Sequence, residues 1–327
     1  MTESKPMKVD VAEINREKSP RLAKKMPRFV VNFLRRLVHE KDVNEILAKA
    51  NGATGIDFVN IGVESLELKR QVSGMENIPS EGRFIFVANH PLGGLESLMM
   101  MKTINEKYSD FMFVVNDFLM ALEPLRPIFI PINKVGKQSR TNAEQLNELY
   151  ASDKQVLYFP AGLCSRKIKG KIVDLPWQKN FIVKAVEYQR DIIPIYIGGK
   201  NSNFFYRLAN WRKRLKIKFN IEMLFLVDEM FKQRGQTITL TIRKPIPYAT
   251  FDKSKTPMEW AEWVNTQGFK DIRIYLSNGG SFEMTDGTLT GGYANFAMYY
   301  DDLAVIGEDA PILDTLEASL DTEKYIN

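Results

Sequence analysis

The chain has 327 residues, of which 44% are hydrophobic and 26% are charged, a composition typical of a globular protein rather than a disordered one. Its single cysteine, Cys164, excludes an intramolecular disulfide and favours a reducing compartment. The longest apolar runs, such as residues 84–88, are far shorter than the ~20 residues of a membrane-spanning helix. These features predict a cytoplasmic protein, peripheral on the inner face of the cell membrane.

The net charge of +5 conceals an uneven distribution. Residues 257–327 contain 3 Lys/Arg and 13 Asp/Glu, a net charge of −10, so residues 1–256 carry 42 Lys/Arg and 27 Asp/Glu, a net charge of +15. A basic body predicts an anionic partner, such as a membrane surface, an acidic carrier protein or a phosphorylated substrate. We expect no nucleic acid, cofactor or metal, because the chain lacks the motifs that bind them.

Residues 1–54 are predicted to be a polar arm followed by two short helices. Apolar residues recur every three or four positions between Pro20 and His39, and a second helix over about 43–50 ends at Asn51-Gly52. Two interpretations of the first helix stay open, because its apolar face either covers the protein or anchors it at a membrane. In the second interpretation the rings of Phe29 and Phe33 enter the lipid. The cations of Arg28, Arg35 and Arg36 then contact lipid phosphates.

Strands and helices alternate from residue 55 to residue 277, which form the predicted main domain. The predicted strands are 83–88, 111–115, 129–132, 156–159, 192–197, 222–227 and 237–243. The predicted helices are about 95–107, 139–152, 178–189, 202–214 and 257–275. This alternation predicts an α/β fold with a mixed, largely parallel sheet flanked by helices. Residues 278–327 form an acidic extension, either packed and hairpin-rich or a mobile tail, and their aromatic residues favour packing.

One of the two histidines, His90, lies where catalytic groups are expected. It follows an apolar strand and begins a loop with two glycines, and ligands of α/β sheets bind at the carboxyl ends of strands. Glu96, six residues on, is able to return and hydrogen-bond the imidazole. The other histidine, His39, is interpreted as a surface residue of the N-terminal helix.

Two further strand ends are followed by polar and basic residues. Strand 129–132 leads into a basic stretch, and strand 156–159 leads into a segment with small residues, a hydroxyl and two cations. Such groups suit an anionic head group. The candidate substrate-binding residues at the three strand ends are Asn89, Asn133, Lys134, Gly162, Ser165, Arg166 and Lys167.

In order and spacing, these segments resemble the four blocks of glycerolipid acyltransferases of the 1-acylglycerol-3-phosphate acyltransferase type. The blocks are Asn89-His90 with its acid, 129–134, 159–162 and 193–195, and the resemblance covers residues 65–250. The Asn-His-Pro-x-Gly form of the first block is similar to a hemolysin-like branch, which includes O-acyltransferases that make ornithine or glycine lipids. The resemblance implies the glycerol-3-phosphate acyltransferase-like fold.

The resemblance also implies a role for each block. The first block supplies the general base and the acid that orients it, His90 and Glu96. The fourth block, with Pro194, shapes the acyl-donor site. The second and third blocks hold the head group of the acceptor, which points to Lys134, Gly162, Ser165 and Arg166.

The chain departs from the family pattern at three positions. Glu96 follows five intervening residues, where the family has an aspartate after four. Ala161 and Cys164 stand where the third block has a glutamate and an arginine. The resemblance therefore leaves the acceptor open between lysophosphatidic acid and an N-acyl amino acid lipid.

The predicted function is a lipid O-acyltransferase that moves an acyl chain from acyl carrier protein or acyl-coenzyme A to a lyso-lipid hydroxyl. Two alternatives remain: a non-catalytic lipid-binding or scaffold protein, and a lipid ester hydrolase that uses Ser165. A basic segment after residue 210 is either a solvated edge or a site for a membrane or an acidic carrier. Its cations include Arg212, Lys213 and Arg214.

Overall fold

A computed structural model describes residues 8–18, 26–132, 140–168, 170–217, 220–267, 273–275, 281–285 and 288–290. Within these residues the α-helices are α1 (Val11–Lys18), α2 (Arg28–Leu37), α3 (Glu40–Ala50), α4 (Gly55–Ser65), α5 (Leu95–Asn105), α6 (Arg140–Ala151), α7 (Asn180–Tyr188), α8 (Asn203–Arg214), α9 (Leu226–Lys232) and α10 (Pro257–Gln267). The predicted helices over 95–107, 139–152, 178–189 and 202–214 correspond to α5 to α8.

The described strands are β1 (Lys69–Ser73), β2 (Phe84–Ala88), β3 (Phe111–Asn116), β4 (Phe129–Ile132), β5 (Gln155–Tyr158), β6 (Arg166–Ile168), β7 (Lys171–Val173), β8 (Asp191–Ile197), β9 (Thr237–Ile242), β10 (Arg273–Tyr275), β11 (Ser281–Thr285) and β12 (Thr288–Thr290). Seven of them, β1 to β5 with β8 and β9, form the mostly parallel central sheet. Helices flank this sheet, so the predicted α/β class is confirmed.

The chain divides into two compact units. The first comprises residues 1–71, 92–158 and 201–238. Its strands β5, β3 and β4 are parallel neighbours in that order, with Val114 of β3 opposite Tyr158 on one side and Ile130 on the other. Helix α5 is deeply buried, and its three consecutive methionines, Met99 to Met101, have no exposed surface. Helix α4 packs against α5.

The second unit comprises residues 72–91, 159–200 and 239–327. Strands β2 and β8 are parallel, with Ala88 opposite Ile195, and β9 continues the sheet antiparallel to β8. All five side chains of β2 are buried, as expected for a strand covered on both faces. Strands β6 and β7 form a separate hairpin, and β10 to β12 form a three-stranded antiparallel sheet. The hairpin of β11 and β12 lies in the predicted C-terminal extension, most of which is outside the described residues.

One predicted strand is wrong. Residues 222–227 lie in a 3₁₀-helix, Ile221–Phe225, and in the first residues of α9. The ring of Phe225 packs edge-on against Phe204 of α8, while Glu222 is buried beside Arg212. Because a short apolar run fits a buried strand and a buried helix equally well, the sequence pattern did not separate the two.

The bounds of the predicted N-terminal helices and of the predicted helix over 257–275 also differ from those in the structure. Helix α2 begins directly after Pro27, whose fixed backbone angle suits a helix start, and α3 begins at Glu40, three residues earlier than expected. Between them His39 adopts a left-handed conformation, which breaks the helical path. The helix predicted over 257–275 ends at Gln267, and residues 273–275 form β10.

Candidate active site

His90 is held by its backbone and by its ring. It follows β2, and its backbone N–H donates to both carboxylate oxygens of Asp174, at 3.2 and 3.1 Å. Its carbonyl accepts the backbone N–H of Ser165 at 2.8 Å. The imidazole stacks on the ring of Phe159, with centroids 4.4 Å apart and planes 18° from parallel. These contacts fix where the imidazole stands at the carboxyl end of the strand.

Asn89 anchors the loop to the neighbouring strand. Its side-chain amide donates to the carbonyl of Ile197 at 2.8 Å, and its side-chain oxygen accepts the backbone N–H of Ile197 at 2.7 Å. The amide thus imitates a peptide group and extends the pairing of β2 with β8. Both polar ends of the predicted substrate-binding side chain are therefore used in holding the loop.

Glu96 is completely buried in the first turn of α5. One carboxylate oxygen accepts the backbone N–H groups of Leu92 and Gly93, and the other accepts that of Gly94, each at 2.8 Å. A carboxylate at this position also interacts favourably with the positive end of the helix. Glu96 therefore determines the shape of residues 92–94, the glycine loop. Its role in orienting His90 remains a prediction.

Asp174, between the β6–β7 hairpin and α7, was not predicted from the sequence. Besides the His90 N–H, its carboxylate accepts the hydroxyl of Ser165 at 2.5 Å and the indole N–H of Trp177 at 3.1 Å. Burial raises the pKa of the Asp174 carboxyl above its usual value, although these hydrogen bonds act in the opposite direction. The only sequence signal was an acid and an indole three residues apart, which by itself indicates no function.

The third-block residues are engaged within their own segment. Ser165 and Arg166 are both buried, and one guanidinium nitrogen of Arg166 donates to the carbonyls of Cys164 and Ser165, at 2.6 and 3.2 Å. The predicted head-group ligand Arg166 thus uses that nitrogen to bind the local backbone. Lys167, in β6, is only partly buried. The other two predicted head-group residues, Asn133 and Lys134, lie outside the described residues.

Five backbone N–H groups of the His90 loop and of the segment after β5 are already hydrogen-bonded within the protein. That of Gly162 donates to the carbonyl of Phe159 at 3.0 Å and closes a tight turn in which Gly162 has a positive φ of 64°. The Ser165 N–H is bound to the carbonyl of His90, and the three N–H groups of the glycine loop are bound to Glu96. An oxyanion at this site therefore needs a donor other than these five.

The N-terminal helix α2 displays rings and cations. The side chains of Phe29 and Phe33 are 74% and 55% exposed, whereas Leu37 is buried and Leu34 is partly buried, so one side of the helix packs on the protein. The cationic residues Arg28 and Arg36 are exposed. The third predicted phosphate ligand, Arg35, instead forms ion pairs with Asp10 and Glu40, at 3.6 and 3.4 Å.

The basic segment at the end of α8 likewise contains both ion-paired and exposed cations. Arg212 pairs with the buried Glu222 at 2.8 Å and donates to the carbonyl of Ile217, so its role is structural. Lys213 and Arg214 are exposed beside Trp211, whose side chain is 58% exposed. Among the described helices, none has the length and hydropathy of a membrane-spanning segment.

Comparison with known proteins identifies the class. A family model described as Acyltransferase matches residues 13–274, which include the His90 loop and every contact of Asp174 given above. The chain belongs to this acyltransferase family and is an enzyme of that class, as the resemblance of the four blocks implied.

Two relatives are named lyso-glycine lipid O-acyltransferase. The protein of Bacteroides thetaiotaomicron is 46% identical, and the alignment covers 83% of this chain and 100% of the relative. The protein of Phocaeicola vulgatus is 44% identical, with 83% of this chain and 97% of the relative covered. Among solved structures, the 1-acyl-sn-glycerophosphate (LPA) acyltransferase PlsC of Thermotoga maritima is similar at 19% identity, with a TM-score of 0.43 and coverage of 73% of this chain and 87% of that one.

Proposed function

We propose that the enzyme transfers an acyl chain from a thioester donor to the hydroxyl of a lyso-glycine lipid, with His90 as the general base. The observation that carries this proposal is the name of the two relatives, which match 83% of the chain at 44% identity or more. The site supports it, because a single imidazole stands at a strand end on a fixed loop. Histidine is the side chain that most often acts as a general base.

In this mechanism His90 takes the proton of the acceptor hydroxyl as its oxygen attacks the thioester carbonyl. The tetrahedral intermediate collapses to the new ester, and the thiolate leaves and receives the proton from the imidazolium. Glu96 carries a negative charge that stabilises the imidazolium, as the acid does in histidine-based acyl transfer. Acyl carrier protein or coenzyme A carries the thioester, and the protein itself needs no covalent intermediate.

An N-acyl glycine acceptor fits the altered third block better than lysophosphatidic acid does. The glycine carboxylate carries one negative charge, whereas a phosphate monoester carries up to two and is bound best by several cations. Here Arg166 gives one guanidinium nitrogen to local carbonyls, and Cys164 stands where the family pattern has an arginine. We propose that Lys167 or Lys134 supplies the cation that binds the glycine carboxylate.

The decisive assay offers the purified protein lyso-glycine lipid and lysophosphatidic acid separately, each with acyl carrier protein and with coenzyme A thioesters. Mass spectrometry is expected to find a diacylated glycine lipid, and the His90→Ala protein is the control for uncatalysed transfer. If product forms with lysophosphatidic acid and not with lyso-glycine lipid, the proposed lyso-glycine lipid acceptor is rejected. Absence of transfer with tight lyso-lipid binding would support the non-catalytic alternative.

The hydrolase alternative is the weaker one. A serine nucleophile has to reach the ester carbonyl, whereas Ser165 is buried and its hydroxyl donates to the Asp174 carboxylate, which also accepts the His90 and Trp177 N–H groups. A fluorophosphonate probe is therefore expected to leave Ser165 unlabelled. Labelling of this residue in the folded enzyme would revive the alternative.

The enzyme is also proposed to bind anionic membrane surfaces through α2. Its exposed rings enter the acyl boundary, while Arg28 and Arg36 interact with lipid phosphates, at roughly 1 kcal/mol each. The exposed cations of α8, Lys213 and Arg214, suit either the same surface or an acidic carrier protein. We propose in addition that the enzyme acts in the cytoplasm, on the inner face of the cell membrane.

Replacing Phe29 and Phe33 together with serine is expected to weaken binding to anionic vesicles by at least about tenfold, because burying even part of two rings contributes more than 1.4 kcal/mol. Vesicle co-sedimentation measures the effect. The matched control replaces Val183 and Val186 of α7 with serine, since these side chains are 40% and 44% exposed on another helix. A lower melting temperature of the phenylalanine variant, with unchanged vesicle binding, would show that α2 covers the protein instead.

A further inference from the structure

Three separate segments converge on the carboxylate of Asp174. They are the His90 loop, the turn that contains Ser165, and the chain leading to α7, which supplies Trp177. The Ser165 N–H also donates to the His90 carbonyl, so Asp174 and Ser165 hold the peptide groups on both sides of the His90 α-carbon. All these contacts lie within the second unit.

A carboxylate is costly to bury at this position. Burial disfavours its charge, as the raised pKa of Asp174 reflects, and a neutral acceptor would satisfy one or two of the same donors at lower cost. A carboxylate has two accepting oxygens, whereas an amide has one, so the carboxylate accommodates all three donors. Asp174 binds both His90 and Ser165, the catalytic base and a predicted head-group residue.

We propose that Asp174 is a positioning residue of this active site, whose carboxylate holds the His90 backbone and the Ser165 turn in the arrangement needed for proton transfer. This inference rests on the proposed function, because it takes His90 to be the base. The imidazole stacks on Phe159, the residue at the start of the same turn segment. A shift of the His90 backbone would therefore misalign the ring with the acceptor hydroxyl.

Trp177 links this arrangement to the fourth block. Its indole donates to Asp174 and lines a small cavity together with Asn89, Pro194, Val264 and Asn265. Pro194 is the residue that the family resemblance assigns to the acyl-donor site. Release of the Trp177 N–H would therefore loosen both the carboxylate and one wall of this cavity.

The test compares Asp174→Asn with Asp191→Asn. Asp191 begins β8, opposite the first residue of β2, and its carboxylate accepts the backbone N–H of Tyr248 at 2.9 Å. Both variants therefore lose one carboxylate that accepts a backbone N–H, but at opposite ends of the same strand pair. We expect kcat of Asp174→Asn to fall about tenfold, with KM for the lyso-lipid changed less than about threefold. Asp191→Asn is expected to keep the kcat of the parent enzyme.

A spectroscopic measurement separates positioning from stability. The chain has only two histidines, so imidazoles labelled with ¹³C at Cε1 alone give two resonances, and the spectrum of His90→Ala assigns them. Asp174→Asn is expected to move or broaden the His90 resonance and to leave that of His39 unchanged. An unchanged His90 resonance together with unchanged kcat would overturn the proposal.

Two milder variants decide the question if Asp174→Asn does not fold. Ser165→Ala and Trp177→Phe each remove one donor to the carboxylate and keep Asp174 itself, and each is expected to lower kcat by about threefold or more. Parent-like kcat in both would overturn the proposal. If the parent enzyme shows no acyl transfer, the proposed function fails, and the His90 resonance still reports whether Asp174 positions the imidazole.

Discussion

The His90→Ala enzyme is expected to lose acyl transfer by about 10²–10⁴-fold in kcat while remaining folded. The loss follows because no other imidazole is expected at the site, and the acceptor hydroxyl then has no base. The fold is expected to survive because the hydrogen bonds to Asp174 and Ser165 are made by the backbone of residue 90, which alanine retains. Initial rates with saturating lyso-lipid and a thermal melt measure the two effects.

The second histidine provides the matched control. His39 lies between α2 and α3, where its ring nitrogens contact Asp42 at 3.3 Å and Asp228 at 3.0 Å. His39→Gln is expected to keep the parent kcat on detergent-dispersed substrate, even if it melts earlier. Near-normal turnover by His90→Ala would reject His90 as the general base.

The sequence was sufficient to predict the class of fold and the position of the candidate base. Buried strands such as β2 appear as short apolar runs, and the residue that follows such a run lies at the carboxyl end of the sheet. Together with the two glycines of the following loop and the resemblance of the four blocks, this reasoning identified His90 as the candidate base. It failed at 222–227, where the apolar run belongs to a 3₁₀-helix and α9, because only tertiary contacts such as that of Arg212 with Glu222 decide between helix and strand.

The hydrogen bonds of the site could not be predicted in the same way. Asp174 lies 84 residues after His90, and nothing in the local pattern indicates that its carboxylate reaches the His90 N–H. Likewise, Asn89 and Gly162 were assigned to substrate from their place in a motif, but their polar groups bind Ile197 and Phe159. Motif position predicts which segments meet, whereas the partner of each polar group depends on the folded geometry.

Replacing Glu96 with glutamine is expected to lower both stability and rate, by a smaller factor in kcat than His90→Ala. The two carboxylate oxygens accept three backbone N–H groups, and glutamine offers one accepting oxygen and one donating NH₂. At least one buried N–H of the glycine loop is then left facing a donor, which costs about 1–3 kcal/mol. Loss of the negative charge beside the first turn of α5 costs about 0.3–1 kcal/mol more.

Glu229→Gln separates the two effects. Glu229 of α9 is also a buried glutamate, and it accepts the backbone N–H and the hydroxyl of Ser202 at the start of α8. Both variants are expected to melt a few degrees below the parent, but only Glu96→Gln is expected to lose kcat, by about 10–10²-fold, since only Glu96 shapes the His90 loop. Equal kcat in the two variants would reject an orienting role for Glu96. A loss of kcat as large as that of His90→Ala would mean that Glu96 does more than orient the imidazole, because a misaligned imidazole still keeps part of its activity as a base.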